Sequence, residues 1–585
     1  MRRAPVKNIR ILADQIIEKP AIAGALLFTL ALLVYMVNGV CLFSIDTLPA
    51  SHFPLSLIHE GNTDFNEFTW LFEGEVRPCF IEIDGHYYSR FPVGSGLVAT
   101  PLYYVFDSFN MLVTKEDIYW AHKLSAAILA ALSVLFMYLF LCNNVRTPGR
   151  AFILAFIFAF CTGVWSINSQ ALWQSTGFML CWVITLWLLF RTSPHPALAG
   201  MFLALAVLCR PPAIIFFPIL ALTLALSKRR VRNINIFSGF FLVSFIVLFL
   251  LFRTKGHDYI TWMIENYLKG GNPLLFLAGN LFSPSRGLFV YSPVFILAVI
   301  GLFFRVHDQR RLYLMSIAGS ALYLLSIMFY RKWWGGYNYG PRYLVEIVPF
   351  MILLLDRFLE RFRGSAARVV LGVFVLLSAG VHYIGTYYYN FCWDYENDVD
   401  NNPMACFQVL DSQPLFALTR GRVHHDINPD PEYYLLNTNR LNFGSRDIER
   451  HLYYGFWKYD TSGRWVYKDR AELLVKFPFP TSLCDITMHM RCRAFQKEWQ
   501  QKVVKCRVNG RLVGTGKFME GSTRGGKVET FIFEIPRDFL SGEIERIEFS
   551  CTKGDVTGFI QLHYFRIHDI TFTPRLFKKA TSPQS

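Results

Sequence analysis

The chain has 585 residues, 53% of them hydrophobic and 16% aromatic, with 55 Phe and a mean hydropathy of +0.31. Charged residues make up 17%, against about 25% in soluble domains, which excludes an ordinary soluble globular protein and implies an integral membrane protein. The net charge of +15 sits in short basic clusters between apolar runs. That pattern suits cytoplasmic loops facing anionic membrane lipids and argues against nucleic acid as a partner.

In chain order, apolar runs predict about eleven transmembrane helices, over 21–43, 119–142, 151–168, 171–191, 197–209, 213–227, 235–253, 288–304, 312–330, 343–357 and 367–389. No small-residue cleavage site follows the first run, so it reads as a retained helix and not a signal peptide. The fifth and sixth runs are parted by Arg210-Pro211-Pro212, where two prolines remove backbone donors and favour a break. With a cytoplasmic N-terminus every inner loop is basic: Arg146 and Arg150, Arg191, Lys228-Arg229-Arg230, Arg305 with Arg310 and Arg311, and Arg357 to Arg368. This is the positive-inside pattern. It puts loop 44–118 and everything after about residue 390 outside. Among the 12 Cys, Cys142, Cys161, Cys181 and Cys209 lie in or beside apolar runs and read as buried small hydrophobes. No CxxC or Cys/His metal spacing is present. One or two disulfides are open in the C-terminal part if it is exported.

The outer loops hold the unusual residues. Asp46 stands just past the first span, within Ser44-Ile-Asp-Thr-Leu-Pro49, where a carboxylate is placed for chemistry at the membrane surface. Taken alone, it reads as an Asx cap at a helix end. Further on come Asp64 and Ser89-Arg90-Phe-Pro-Val-Gly94, then an apolar stretch to Phe106 that reads as an interfacial or re-entrant piece. Arg90 alone reads as a snorkelling side chain. The run Phe282-Ser-Pro-Ser-Arg286-Gly-Leu-Phe289 suits a helix cap and equally an anion site. Trp173-Gln174 and Trp334-Gly-Gly-Tyr337-Asn338-Tyr339-Gly-Pro-Arg342 suit an interfacial aromatic belt. Their rings also suit stacking on sugar faces. Arg90, Arg210, Arg286 and Arg342, all at outer helix ends, run against the positive-inside bias and are what a phosphate-bearing lipid would need. Gly-x-Ser-x-Gly, a Walker loop and GxGxxG are all absent.

From 391 to about 440 the sequence reads as a connecting segment, with turn signals at Asn401-Asn402-Pro403 and Asn428-Pro429-Asp430-Pro431. Over 441–585, alternating segments at 471–477, 484–492, 502–508, 529–535, 546–551 and 564–572, with Asn509-Gly510 as a hairpin turn, predict an extracytoplasmic β-sandwich. Trp457, Tyr459 and Trp465 suit sugar stacking or a core equally.

Over residues 20–390 the motifs resemble those of the GT-C membrane glycosyltransferases, in the bacterial branch related to protein O-mannosyltransferases and the lipid-linked-sugar transferases that decorate lipopolysaccharide. The marks are Asp46-Thr-x-Pro, Ser89-Arg90-Phe-Pro-x-Gly94, Arg210-Pro211, Ser283-Pro-Ser-Arg286-Gly-Leu-Phe-Val-Tyr-Ser-Pro293 and Gly335-Gly-Tyr-Asn-Tyr-Gly-Pro-Arg342. The resemblance implies a catalytic membrane domain over 1–390 and a polyprenyl-phosphate-linked sugar donor. It implies a glycan, lipid or protein acceptor, and catalysis at the outer face of a bacterial inner membrane. It implies Asp46 as general base, with Asp64, ranked ahead of Glu60, as the second acid. It places Arg90 on the lipid phosphate although relatives often have Lys there, with Arg210, Arg286 and Arg342 beside it. Ser175 stands where relatives often carry His, so no catalytic role passes to it. Trp173, Gln174, Trp334, Tyr337, Asn338 and Tyr339 are the expected sugar and acceptor contacts, and the sandwich is similar to carbohydrate-binding modules. Arginines can replace a metal at the leaving phosphate, so no metal or other cofactor is expected. The competing expectation is a lipid-linked glycan transporter or flippase, which should show repeated halves and charges at mid-bilayer depth.

Overall fold

The fold is taken from a computed structural model. It describes residues 19–39, 41–71, 79–112, 115–226, 230–252, 270–304, 310–389, 391, 393–394, 397, 399–420, 440–442, 452–454, 456–460, 463–466, 470–477, 484–494, 503–517, 529–540, 545–551 and 565–576. The chain divides into two compact units, Met1–Ala417 and Leu418–Ser585.

The first unit is helical. Three of its helices are long and apolar enough to cross a membrane: Asp117–Asn144, Arg232–Leu251 and Ser365–Tyr387. The first is 67% buried and forms the centre of the bundle, whereas the second is 11% buried, packing one face, with Phe237 and Phe241, against Pro196–Cys209 and leaving much of its apolar surface exposed. Pro20–Met36, Pro148–Phe160, Gln174–Phe190, Pro196–Cys209, Pro211–Ala225 and Pro273–Phe282 are apolar but shorter.

Proline shapes several of the expected spans. The run 288–304 is broken at Ser292-Pro293 into helices Leu288–Tyr291 and Val294–Leu302. The run 343–357 starts as a 3-10 turn, Arg342–Ile347, and becomes α-helical at Val348–Arg361, with Pro349 in its first turn. Proline has no N–H to give, so it opens a helix cheaply and interrupts one at a cost. The run 151–168 stops at Phe160 and resumes as a wide turn over Val164–Asn168.

The interfacial stretch after Arg90 is a continuous helix, Gly94–Ser108, with Pro101 inside. Its N-terminal turn explains its glycines. A Cβ on Gly96 would lie 2.6 Å from the Ala50 carbonyl oxygen, and one on Gly94 would lie 2.5 Å from the Cys209 backbone nitrogen. Ser95, between them, donates to the Trp173 carbonyl oxygen at 2.7 Å. One helix turn is thus packed against three segments: the helix after Asp46, the start of Gln174–Phe190 and the end of Pro196–Cys209.

Elsewhere in this unit the end of Lys115–Asn144, the start of Pro148–Phe160 and the end of Val348–Arg361 meet. Arg146 pairs with Glu360 at 3.1 Å, Arg150 pairs with Asp356 at 3.0 Å, and Arg361 lies over the Phe304 ring. The first half of the expected connecting segment is folded into this unit: Trp393, Val399, Ala405, Cys406 and Phe416 pack with Phe276, Trp333 and Trp334.

The second unit is a pair of antiparallel sheets around one core. One sheet runs in the order Arg511–Lys517, Val503–Val508, Glu545–Cys551, Arg470–Val475 and Leu452–Tyr454. The other runs Glu529–Ile535, Cys484–Ala494, Phe565–Leu576, Gly463–Val466 and Phe456–Asp460, with Arg440–Asn442 also on Phe565–Leu576. Leu473, Val508 and Ile547 of the first sheet pack with Met488, Phe533 and Ile570 of the second. The Asn509-Gly510 turn has φ of 49° and 81°, with Val508 paired to Arg511, the geometry a two-residue hairpin requires. Cys492 and Cys506 are buried free thiols, and no disulfide occurs among the described residues. Trp457 and Trp465 are paired in register; their side chains and that of Tyr459 lie outside the described residues.

Candidate active site

Asp46 is delivered by the turn after the first helix. Ser44 caps that turn, its hydroxyl accepting from the Asp46 N–H at 3.3 Å, and Pro49 opens the next helix. The cap is therefore Ser44, and the Asp46 carboxylate is left for a distant partner. Arg342 donates to it at 2.8 Å across 296 residues of sequence. The pair is partly open, with side-chain exposures of 24% for Asp46 and 11% for Arg342.

A second arginine lies beside the first. Arg210 leaves the helix Pro196–Cys209 at the Pro-Pro break. It pairs with Glu346 at 2.6 Å and donates to the Gln174 side-chain oxygen at 2.9 Å. Tyr343 lies between the two cations, its ring 4.9 Å from Arg210 and 5.4 Å from Arg342. The Trp173 ring also lies against Arg342, at 4.9 Å. Burial is the largest influence and opposes the Arg342 charge, but Asp46 and Tyr343 together hold the guanidinium pKa above its ordinary value.

Asp46, Trp173, Gln174, Ser175, Arg210 and Arg342 line one small, partly open pocket. It combines a carboxylate, two fixed cations, an indole and an amide. Within it the cations are each matched by one carboxylate, Asp46 or Glu346. An incoming anion therefore meets arginines already oriented and must compete with those carboxylates for them.

The structure brings only part of the expected set together. Arg286 is elsewhere and is 1% exposed. Its guanidinium donates to Asp394 at 2.5 Å, Gln413 at 2.8 Å, and the carbonyl oxygens of Trp334, Ser285 and Gly336. Those donors are spent, so Arg286 ties the 391–417 segment to the rest of the helical unit and is not available to a phosphate. Burial pushes the Asp394 carboxyl up to about 6 against the pull of Arg286.

Trp334, Asn338 and Tyr339 are likewise internal. The Trp334 indole N–H donates to Asp400 at 2.8 Å, the Asn338 amide to the Gly340 carbonyl at 2.7 Å, and the Tyr339 hydroxyl to the Val381 carbonyl at 2.8 Å. Tyr337 is half-buried between their two aromatic clusters. This loop holds Arg342 in place and does not itself line the pocket. Asp64 accepts from the Asn66 N–H at 3.3 Å and pairs with His86 at 3.1 Å, which ties together the segment between the first two apolar helices, and Asp64 is not among the pocket lining. Arg90 is also outside that lining, though its Nε is buried with no hydrogen-bond partner among the described residues. Among those residues, no cluster of His, Cys, Asp or Glu suits a metal ion.

Glu346 is not among the residues that the sequence singles out. The signal for it is a carboxylate inside an apolar run, four positions after Arg342; an ionisable residue at such depth marks function by default. No protein-family model matches the chain, and no curated protein matches it at a significant level.

Proposed function

We propose that the chain is a polytopic GT-C-like glycosyltransferase of about eleven transmembrane helices. It moves a sugar from a polyprenyl-phosphate donor to a glycan, lipid or protein acceptor at the outer face of a bacterial inner membrane. The observation that carries the proposal is the convergence of Asp46, Arg210, Arg342, Trp173 and Gln174, remote in sequence, on one pocket. Orientation is supported by the segregation of charge. Gln174, Arg210 and Arg342 sit at one set of helix ends, while Arg146, Arg150, Arg357 and Arg361 gather with Asp356 and Glu360 at the other.

In the reaction Asp46 accepts the proton of the acceptor hydroxyl as its oxygen attacks the anomeric carbon. The bond from that carbon to the phosphate oxygen breaks, and its electron pair stays on the phosphate. Arg342 and Arg210 stabilise the charge gathering there. Direct attack inverts the anomeric centre. Trp173 both holds Arg342 and offers the sugar an apolar face. In the resting pocket Arg342 is engaged by Asp46, so a donor phosphate that takes Arg342 also frees the base.

The test is transfer by the purified full chain from radiolabelled polyprenyl-phosphate sugars to a membrane-glycan extract. Label moving into the extract, with the glycan product inverted at the anomeric carbon, is the expected result. Donor binding without transfer from any donor would favour the transporter reading.

A further inference from the structure

Lys123 lies on the long central helix, one position after His122, and is 1% exposed. No carboxylate among the described residues pairs with it. Its Nζ donates to the Gln170 side-chain oxygen at 2.8 Å and to the Ser169 carbonyl at 3.1 Å. A buried lysine with only neutral acceptors is expensive at membrane depth and calls for a reason. His122, beside it, accepts the Leu172 N–H at 2.7 Å through Nε2. Asn38 adds a second donor to the Gln170 oxygen at 2.7 Å. Both ends of the segment 169–172 are therefore gripped by one turn of the central helix. The next residues are Trp173, Gln174 and Ser175, which line the pocket.

The geometry points to Lys123 as a positioning residue for the two pocket arginines, acting through the loop it holds. Trp173 stacks on Arg342 and Gln174 accepts from Arg210, so a displaced loop moves both of the groups that orient the cations. The inference rests on the proposed donor-phosphate role of those arginines and adds how they are held. Because the acceptors of Lys123 are a carbonyl and an amide oxygen, the requirement is for a donor of suitable reach and not for its charge.

The experiment measures polyprenyl phosphate binding, and amide hydrogen exchange over residues 169–175, in detergent. It uses the full chain carrying Lys123→Met, Lys123→Gln or Arg150→Met. Arg150 pairs with Asp356 at the opposite helix ends and reports general loss of stability. Lys123→Met should weaken polyprenyl phosphate binding by about tenfold or more, since small misplacements of binding groups cost up to ~100-fold. It should also raise exchange in 169–175. Lys123→Gln, which keeps a donor, should recover part of both, and Arg150→Met should change neither. Unchanged exchange over 169–175 in Lys123→Met, or equal loss of binding in Arg150→Met, would overturn the positioning role. Raised exchange in a protein whose wild type binds no polyprenyl phosphate would uphold the grip on the loop and overturn the donor-phosphate reading it serves.

Discussion

At the scale of single residues, the main division is between arginines that face a pocket and one that is consumed by the fold. Arg210 and Arg342 each have one carboxylate partner and an aromatic neighbour. Arg286 has its donors filled. Substituting them should separate two phenotypes. Arg342→Ala should abolish donor binding, with a loss of stability smaller than that of Asp394→Ala, because Asp46, 24% exposed, stays partly solvated when its partner is removed. Asp394→Ala leaves Arg286 buried without its counter-charge. It should destabilise the helical unit by about 3–5 kcal/mol, read as a lowered midpoint of thermal unfolding in detergent, with the donor affinity of the still-folded fraction unchanged. Equal donor-affinity losses in the two variants would mean that Arg286 also serves the site.

At the scale of elements, the site depends on how closely the turn starting Gly94–Ser108 approaches its neighbours. Gly96→Ala drives a methyl group into the Ala50 carbonyl. Backbone shifts of this kind typically cost about 1–3 kcal/mol. Since Ala50 lies on the helix that follows Asp46, transfer should fall further than stability does. A variant with full transfer and unchanged thermal midpoint would show that the approach is not constraining. Much at this scale could be read in the sequence. The strands 484–494, 503–508 and 529–535 and the Asn509-Gly510 turn follow from alternation and turn chemistry, which are local. Asp46, Arg210 and Arg342 could be singled out because an outer charge at an apolar-run end is unusual. What could not be read was pairing. Arg286 and Arg342 look alike in sequence, and only the return of 394 and 413 to the bundle shows that one of them is already occupied. The helix breaks at Pro293 and before Pro349 were also obscured, because hydropathy averages over a local break in the backbone.

At the scale of the whole molecule, the membrane reading ties the basic helix ends to one side and the pocket to the other. The second unit follows the last long apolar helix, so that helix sets its side as well. Gly364, in the exposed turn before Ser365–Tyr387, and Leu512, exposed on a hairpin strand, are suitable reporters. In intact cells with a permeable outer layer, an impermeant thiol reagent should label Leu512→Cys and leave Gly364→Cys unlabelled until the membrane is opened. Labelling of both before opening, or the reverse order, would overturn the orientation.

Asp46, paired with Arg342 in the structure, serves in the proposed reaction as the base of a sugar transfer whose donor phosphate takes that arginine. The most direct measurement compares wild type with Asp46→Asn, scoring polyprenyl phosphate affinity and the rate of transfer from preloaded donor in the same preparation. Removing a general base typically costs about 10²–10⁴ in rate, while the neutral amide of the variant no longer competes with the phosphate for Arg342. Asp46→Asn should bind polyprenyl phosphate at least as tightly as wild type and transfer at least ~100-fold more slowly. Transfer at the wild-type rate from the loaded variant would contradict the role of Asp46 as base.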